Sequence, residues 1–137
     1  MPNLDPKNDR LCVIAESDPF LARLLQRFAE KSGMRIQLAR TGDDVLELAK
    51  RSPALIVLDP ELPGKVRGWD AAHSLRFGNQ TSAIPVIIFS WLKKPDVLKL
   101  VGQISAYLQK PDLNYEDFVE ALKAAGVKVQ DPPDKPF

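Results

Sequence analysis

The sequence predicts an α/β domain built on one five-stranded, doubly wound parallel sheet with helices on both faces. Three observations predict it. The runs "LCVIA", "ALIVL" and "IPVIIFS" are apolar nearly throughout, as strands covered on both sides by helices must be. Segments with apolar residues at helical spacing separate these runs, so strand and helix alternate five times. The 137 residues are the length of one ordinary domain, with no room for a second core of normal size.

The elements follow in order. Residues 1–9 are polar and proline-containing and read as a disordered lead-in to a domain spanning 10–126. "LCVIA" (11–15) is the first strand. "SDPFLARLLQRFAEKSG" is the first helix, with Asp18 as N-cap and Pro19 at the first helical position. Phe20, Leu21, Leu24, Leu25 and Phe28 form its apolar, core-facing stripe, and Gly33 ends it. "RIQLA" (35–39) alternates as a strand, and 41–52 is a shorter helix capped by Thr41. "ALIVL" (54–58) is the third strand, followed by a Pro- and Gly-rich loop from Asp59 to Gly68.

Residues 69–77 are helical in composition, and 84–90 form the fourth strand. A short helix over 93–103 starts at Pro95, and 105–109 is a weaker fifth strand. Residues 114–126 form the last helix, capped by Asn114, with Asp117 in the place of a capping box's Glu. Residues 127–137 read as a Pro-rich tail, because the three prolines of "DPPDKPF" exclude a regular element.

Composition narrows the function. Formal net charge is +1 and the basic residues are scattered, so nothing points to nucleic acid or an anionic membrane as partner. No apolar run approaches the ~20 residues of a membrane span. The start "MPNLDPKNDR" is unlike a signal peptide, which makes the cytoplasm the expected compartment. Cys12 is the sole cysteine and His73 the sole histidine, so an intramolecular disulfide is excluded and a zinc site is poorly supplied. Cys12 reads as a buried small hydrophobe and His73 as solvated. The sequence has no G-x-G-x-x-G after the first strand, no Walker A loop and no G-x-S-x-G, so an enzyme is not expected.

In doubly wound sheets ligands bind at the carboxyl ends of the strands. Glu16, Ser17 and Asp18 follow the first strand, Asp59 the third and Lys110-Pro111 the fifth, while Ser90 ends the fourth. "LIVLDPELPG" is the telling stretch, since an apolar strand running straight into a carboxylate needs something to compensate the charge. Together these ends supply two carboxylates, a hydroxyl and an ammonium. Carboxylates with open water positions hold Mg²⁺, and a lysine with a hydroxyl suits phosphate. Asp59 is then a candidate nucleophile toward phosphorus.

At these residues the chain resembles the response-regulator receiver domain of bacterial two-component signalling, over about residues 9–126. "VIAESDPFLARLL" resembles the family's acidic turn and first helix, and "LIVLDPELPG" its phosphoacceptor segment. "IPVIIFS" resembles the fourth strand with its terminal Thr or Ser, and "AYLQKP" the fifth strand with its switch aromatic and Lys-Pro. The resemblance implies a chemotaxis-regulator-like fold with flavodoxin-like strand order 2-1-3-4-5. It implies Asp59 as the phosphorylated residue, Lys110 as the phosphate's ion-pair partner, and Ser90 and Tyr107 as the switch pair. Glu16, Asp59 and the backbone carbonyl of Glu61 would be ligands to Mg²⁺, and the bond into Pro111 would be cis. A histidine kinase or phosphotransfer protein would supply the phosphoryl group. The fourth helix, fifth strand and fifth helix would form the surface for a downstream protein, and for a homodimer as in many relatives.

Two positions depart from the pattern. Ser17 stands where the resemblance implies the second acid of the metal-binding pair, and a hydroxyl is a poorer ligand for a hard dication. Trp91 stands after Ser90, where the resemblance implies a small residue, and an indole there would crowd the pocket or fold over it. The loop after Asp59, through "GKVRG", is about a residue longer than the resemblance implies, and the span from Ser90 to Lys110 is slightly short, so a short or irregular fourth helix is expected. The alternative these departures favour is a pseudo-receiver, the same fold serving as a phosphorylation-independent protein-interaction module.

Overall fold

The apolar runs form a five-stranded parallel sheet in a computed structural model that describes residues 10–102 and 104–130. Its elements are β1 (Leu11–Ala15), α1 (Pro19–Lys31), β2 (Arg35–Ala39), α2 (Gly42–Ala49), β3 (Leu55–Leu58), α3 (Gly68–Phe77), β4 (Val86–Ser90), α4 (Lys94–Val101), β5 (Ala106–Gln109) and α5 (Tyr115–Ala124). The strand order is β2-β1-β3-β4-β5, so the chain steps outward, reverses across β1 and proceeds to the other edge. That is the doubly wound order expected, and the reversal places the ligand crevice between β1 and β3.

Side chains alternate across the sheet and build one core on each face. Val13 and Ala15 of β1, Ile56 and Leu58 of β3 and Ile88 of β4 pack with Val45, Leu75 and Val97 from α2, α3 and α4. Cys12 and Ile14, Leu55 and Val57, and Ile87 and Phe89 point the other way, against Leu21 and Leu25 of α1 and Phe118 and Leu122 of α5. Each Val, Leu, Ile or Phe among these, removed from water, stabilises the fold by about 1.5–3 kcal/mol. The central strands therefore form a stiff platform for the residues at their ends. Cys12 is wholly buried, and burial pushes its thiol up to about 12. It is a packing residue, as its apolar context suggests.

The caps act as expected. Asp18 accepts from the N–H groups of Phe20 and Leu21, Thr41 from Asp44 and Asn114 from Asp117. Several expectations change. Phe20 is 74% exposed and lies outside the α1 stripe, which the structure builds from Leu21, Leu25 and Ala29. At 100° per residue Phe20 is turned off the face that Leu21 centres. Helix α2 ends at Ala49, before Ser52, whose φ of 52° is left-handed. Helix α4 is short but regular and stops at Val101, where Gly102 has φ +75°.

The packed unit extends past residue 126. Val127 is buried in the α1/α5 core, and the Gln130 N–H donates to the Ser32 carbonyl at 3.0 Å. The lead-in (1–9) and the proline-rich end (131–137) lie outside the described residues. Among the described residues no helix is long and apolar enough to cross a membrane.

Candidate functional site

Strand register alone brings the site residues together. Ala15 pairs with Leu58, so Glu16 and Asp59 each stand one residue beyond adjacent strand ends. The Asp59 N–H donates to the Ala15 carbonyl at 2.8 Å and continues the ladder by one bond. Ser90 pairs with Gln109, and the Lys110 N–H donates to the Ser90 carbonyl at 2.7 Å. Glu16, Asp59, Ser90 and Lys110 are all buried, although all four are polar.

Burial is compensated from within the site. Lys110 Nζ lies 2.8 Å from Glu16 Oε1 and 3.2 Å from Asp59 Oδ2, and the lysine and glutamate side chains are 3% and 1% exposed. The contact with Asp59 is a hydrogen bond. The contact with Glu16 is an ion pair, and Oε1 has no hydrogen-bond partner among the described residues. The remaining oxygens take backbone donors. Asp18 N–H reaches Glu16 Oε2 at 2.9 Å, and Glu61 N–H reaches Asp59 Oδ1 at 2.9 Å. Burial pushes the Glu16 carboxyl above its ordinary value and the Asp59 charge adds to this, while Lys110 and the Asp18 N–H pull it back. The Phe89 ring lies 5.2 Å from Lys110 Nζ and gives the ammonium a third favourable neighbour.

The other candidates sit around this centre. The Ser17 hydroxyl is exposed and donates to Asp59 Oδ2 at 3.5 Å, at the limit of a hydrogen bond. Asp18 is occupied in capping α1. Ser90 Oγ accepts from the Leu92 N–H at 3.1 Å. Tyr107 is half-buried, and its hydroxyl donates to the Ser90 carbonyl at 3.3 Å. Burial, then the Asp96 charge, raises the Tyr107 phenol above its ordinary value. Trp91 is 57% exposed. The Lys110–Pro111 bond is cis.

Sequence reading missed the brace on the loop after Asp59. Asp43, in the first turn of α2, accepts from the Val66 N–H at 2.7 Å and the Lys65 N–H at 3.3 Å. Gly68 closes the loop, because a Cβ there would meet the Asp59 and Pro60 carbonyl oxygens at 2.5 Å. The only signal for this was Gly68 itself. Asp43 gives no local signal of this role, because an acid in the first turn of a helix is an ordinary residue there.

The chemistry on offer is that of a carboxylate nucleophile with an ammonium and hydroxyls beside it, which suits transfer of an anionic phosphoryl group. The carboxylates number two, and among the described residues no third acid, His or Cys joins them to make a metal-binding cluster.

The sequence profile of the response regulator receiver domain matches residues 12–123, and the chain belongs to that family. Family and fold thus define a receiver domain of two-component signalling. The chain is 32% identical over 116 residues to Protein PilH of Pseudomonas aeruginosa, covering 82% of this chain and 93% of that one. It is 30% identical over 115 residues to the polar-differentiation response regulator DivK of Brucella ovis, covering 82% and 92%. Among solved structures it is similar to the receiver domain of sensor histidine kinase PA1611 from Pseudomonas aeruginosa, which has a magnesium ion coordinated in its active-site cleft. The TM-score is 0.72 and the identity 21%, covering 86% of this chain and 98% of that one, so this likeness shows the fold alone.

Proposed function

We propose that the chain is a working receiver whose Asp59 accepts a phosphoryl group from a phosphohistidine on a histidine kinase or phosphotransfer protein. The observation that carries this reading is the buried Lys110–Asp59 contact at 3.2 Å, with Ser90 at the neighbouring strand end. An Asp59 carboxylate oxygen attacks phosphorus, an O–P bond forms, and the P–N bond to the donor imidazole breaks. The imidazole leaves with the bond's electron pair and takes up a proton from solvent. Lys110 neutralises charge on the phosphoryl oxygens, and the Ser90 and Ser17 hydroxyls supply donors to them.

The family expectation adds Mg²⁺ held by Glu16, Asp59 and the Glu61 carbonyl. The residues present do not fit a firmly held ion. Position 17 gives a hydroxyl in place of an acid, and both carboxylates already face one ammonium.

Output follows from Ser90 and Tyr107, which share a hydrogen bond at the edge of β4 and β5. Phosphorylation draws the Ser90 hydroxyl toward the phosphoryl group, and Tyr107 moves with it. This alters the α4-β5-α5 face, where Leu98 and Leu100 are exposed. A downstream protein or a second copy of the chain binds that face, in the cytoplasm. Nucleic acid and membrane are not partners in this reading. Ser17 favours a second reading, a pseudo-receiver that binds its partner without phosphate. Intact-protein mass after incubation with a small phosphodonor separates the two. One added phosphoryl group, absent in Asp59→Asn, supports the first reading. No addition, under conditions that modify an ordinary receiver, supports the second.

A further inference from the structure

We infer that Lys110 is the resident counter-ion of the Glu16–Asp59 pair, and that Ser17 is the residue that keeps a divalent ion from taking this place. Divalent-ion affinity depends on how many anionic oxygens converge. Here two carboxylates converge, and one ammonium lies 2.8 and 3.2 Å from them. The formal charge of the three groups is −1, so a dication entering the pocket meets only one uncompensated charge and a repelling ammonium. The oxygens are also largely engaged. Glu16 Oε2 and Asp59 Oδ1 accept backbone N–H groups, and Asp59 Oδ2 accepts from both Lys110 and Ser17. Of the pair's four oxygens, Glu16 Oε1 alone has no hydrogen bond among the described residues. It faces the ammonium.

Ser17 is where a third charge would enter. Its Oγ is 3.5 Å from Asp59 Oδ2, and the residue is exposed. An aspartate there would lie beside Asp59 and open to water, from which an ion arrives with its hydration shell. The pocket would then carry −2, enough to offset a dication while Lys110 stays charged.

The inference rests on the site being a receiver pocket, but not on Asp59 being phosphorylated. It is tested without a phosphodonor, by following the signal of free Mn²⁺ by electron paramagnetic resonance as protein is added. Ser17→Asp is expected to bind Mn²⁺ at least about tenfold more tightly than wild type. Equal affinity, or binding to neither, overturns the inference. Wild type alone also decides. Mn²⁺ uptake by wild type well below about millimolar concentration, abolished by Asp59→Asn, overturns it even if Ser17→Asp fails to fold. A wild type that takes up phosphate equally well with and without EDTA supports both readings. One that takes up neither phosphate nor Mn²⁺ overturns the phosphorylation reading and leaves this one standing.

Discussion

Removing the ammonium of Lys110 leaves two buried carboxylates facing each other. A buried ion pair broken on one side costs about 3–5 kcal/mol, so Lys110→Met is expected to lower unfolding stability by about 3 kcal/mol at neutral pH. Urea denaturation measures it. Glu16 gives a pH test with a defined sign. Its folded carboxyl is raised above the ordinary value, chiefly by burial, so the native state binds the proton more tightly than the unfolded chain. The stabilisation from that proton is fully present below the ordinary glutamate value. It is lost as pH rises through the raised one. Glu16→Gln removes this dependence. The stability of wild type minus that of Glu16→Gln is expected to fall with rising pH across that window. A difference that rises with pH would contradict the assignment.

The elements were legible to the degree that local chemistry decided them. Asp18, Thr41 and Asn114 were readable as caps because an N-cap acts through its own side chain on N–H groups two or three residues ahead. Replacing Asn114 with Ala is expected to cost about 1 kcal/mol, read from the thermal midpoint. The end of α4 was not legible, because it depends on a distant residue. Arg76 of α3 donates to the Val101 carbonyl at 2.7 Å, and Gly102 leaves by a positive φ. A Cβ at position 102 would collide with the Arg76 guanidinium and force a conformation that L residues avoid. Gly102→Ala is expected to destabilise by about 1–3 kcal/mol, with amide exchange in α4 rising before that in α1. The place of Phe20 was misread for a similar reason. Helical spacing marks a stripe, but the sheet decides where its centre lies.

At the scale of the molecule, strand order turns scattered residues into a site. Glu16, Asp59, Ser90 and Lys110 span 95 positions of sequence, yet parallel pairing sets them at one edge of three adjacent interfaces. The double winding was readable from three apolar runs and the alternation around them, and the identities of the four residues from the strand ends. The sharing of Lys110 between two acids was not, because side-chain reach is absent from a pattern of types. Nor was the exposure of Trp91. The most direct measurement is intact-protein mass after exposure to a small phosphodonor, on wild type and Asp59→Asn side by side. One added phosphoryl group on wild type and none on the variant is the expected result. An unmodified wild type, beside a receiver that is modified in the same tube, would contradict it.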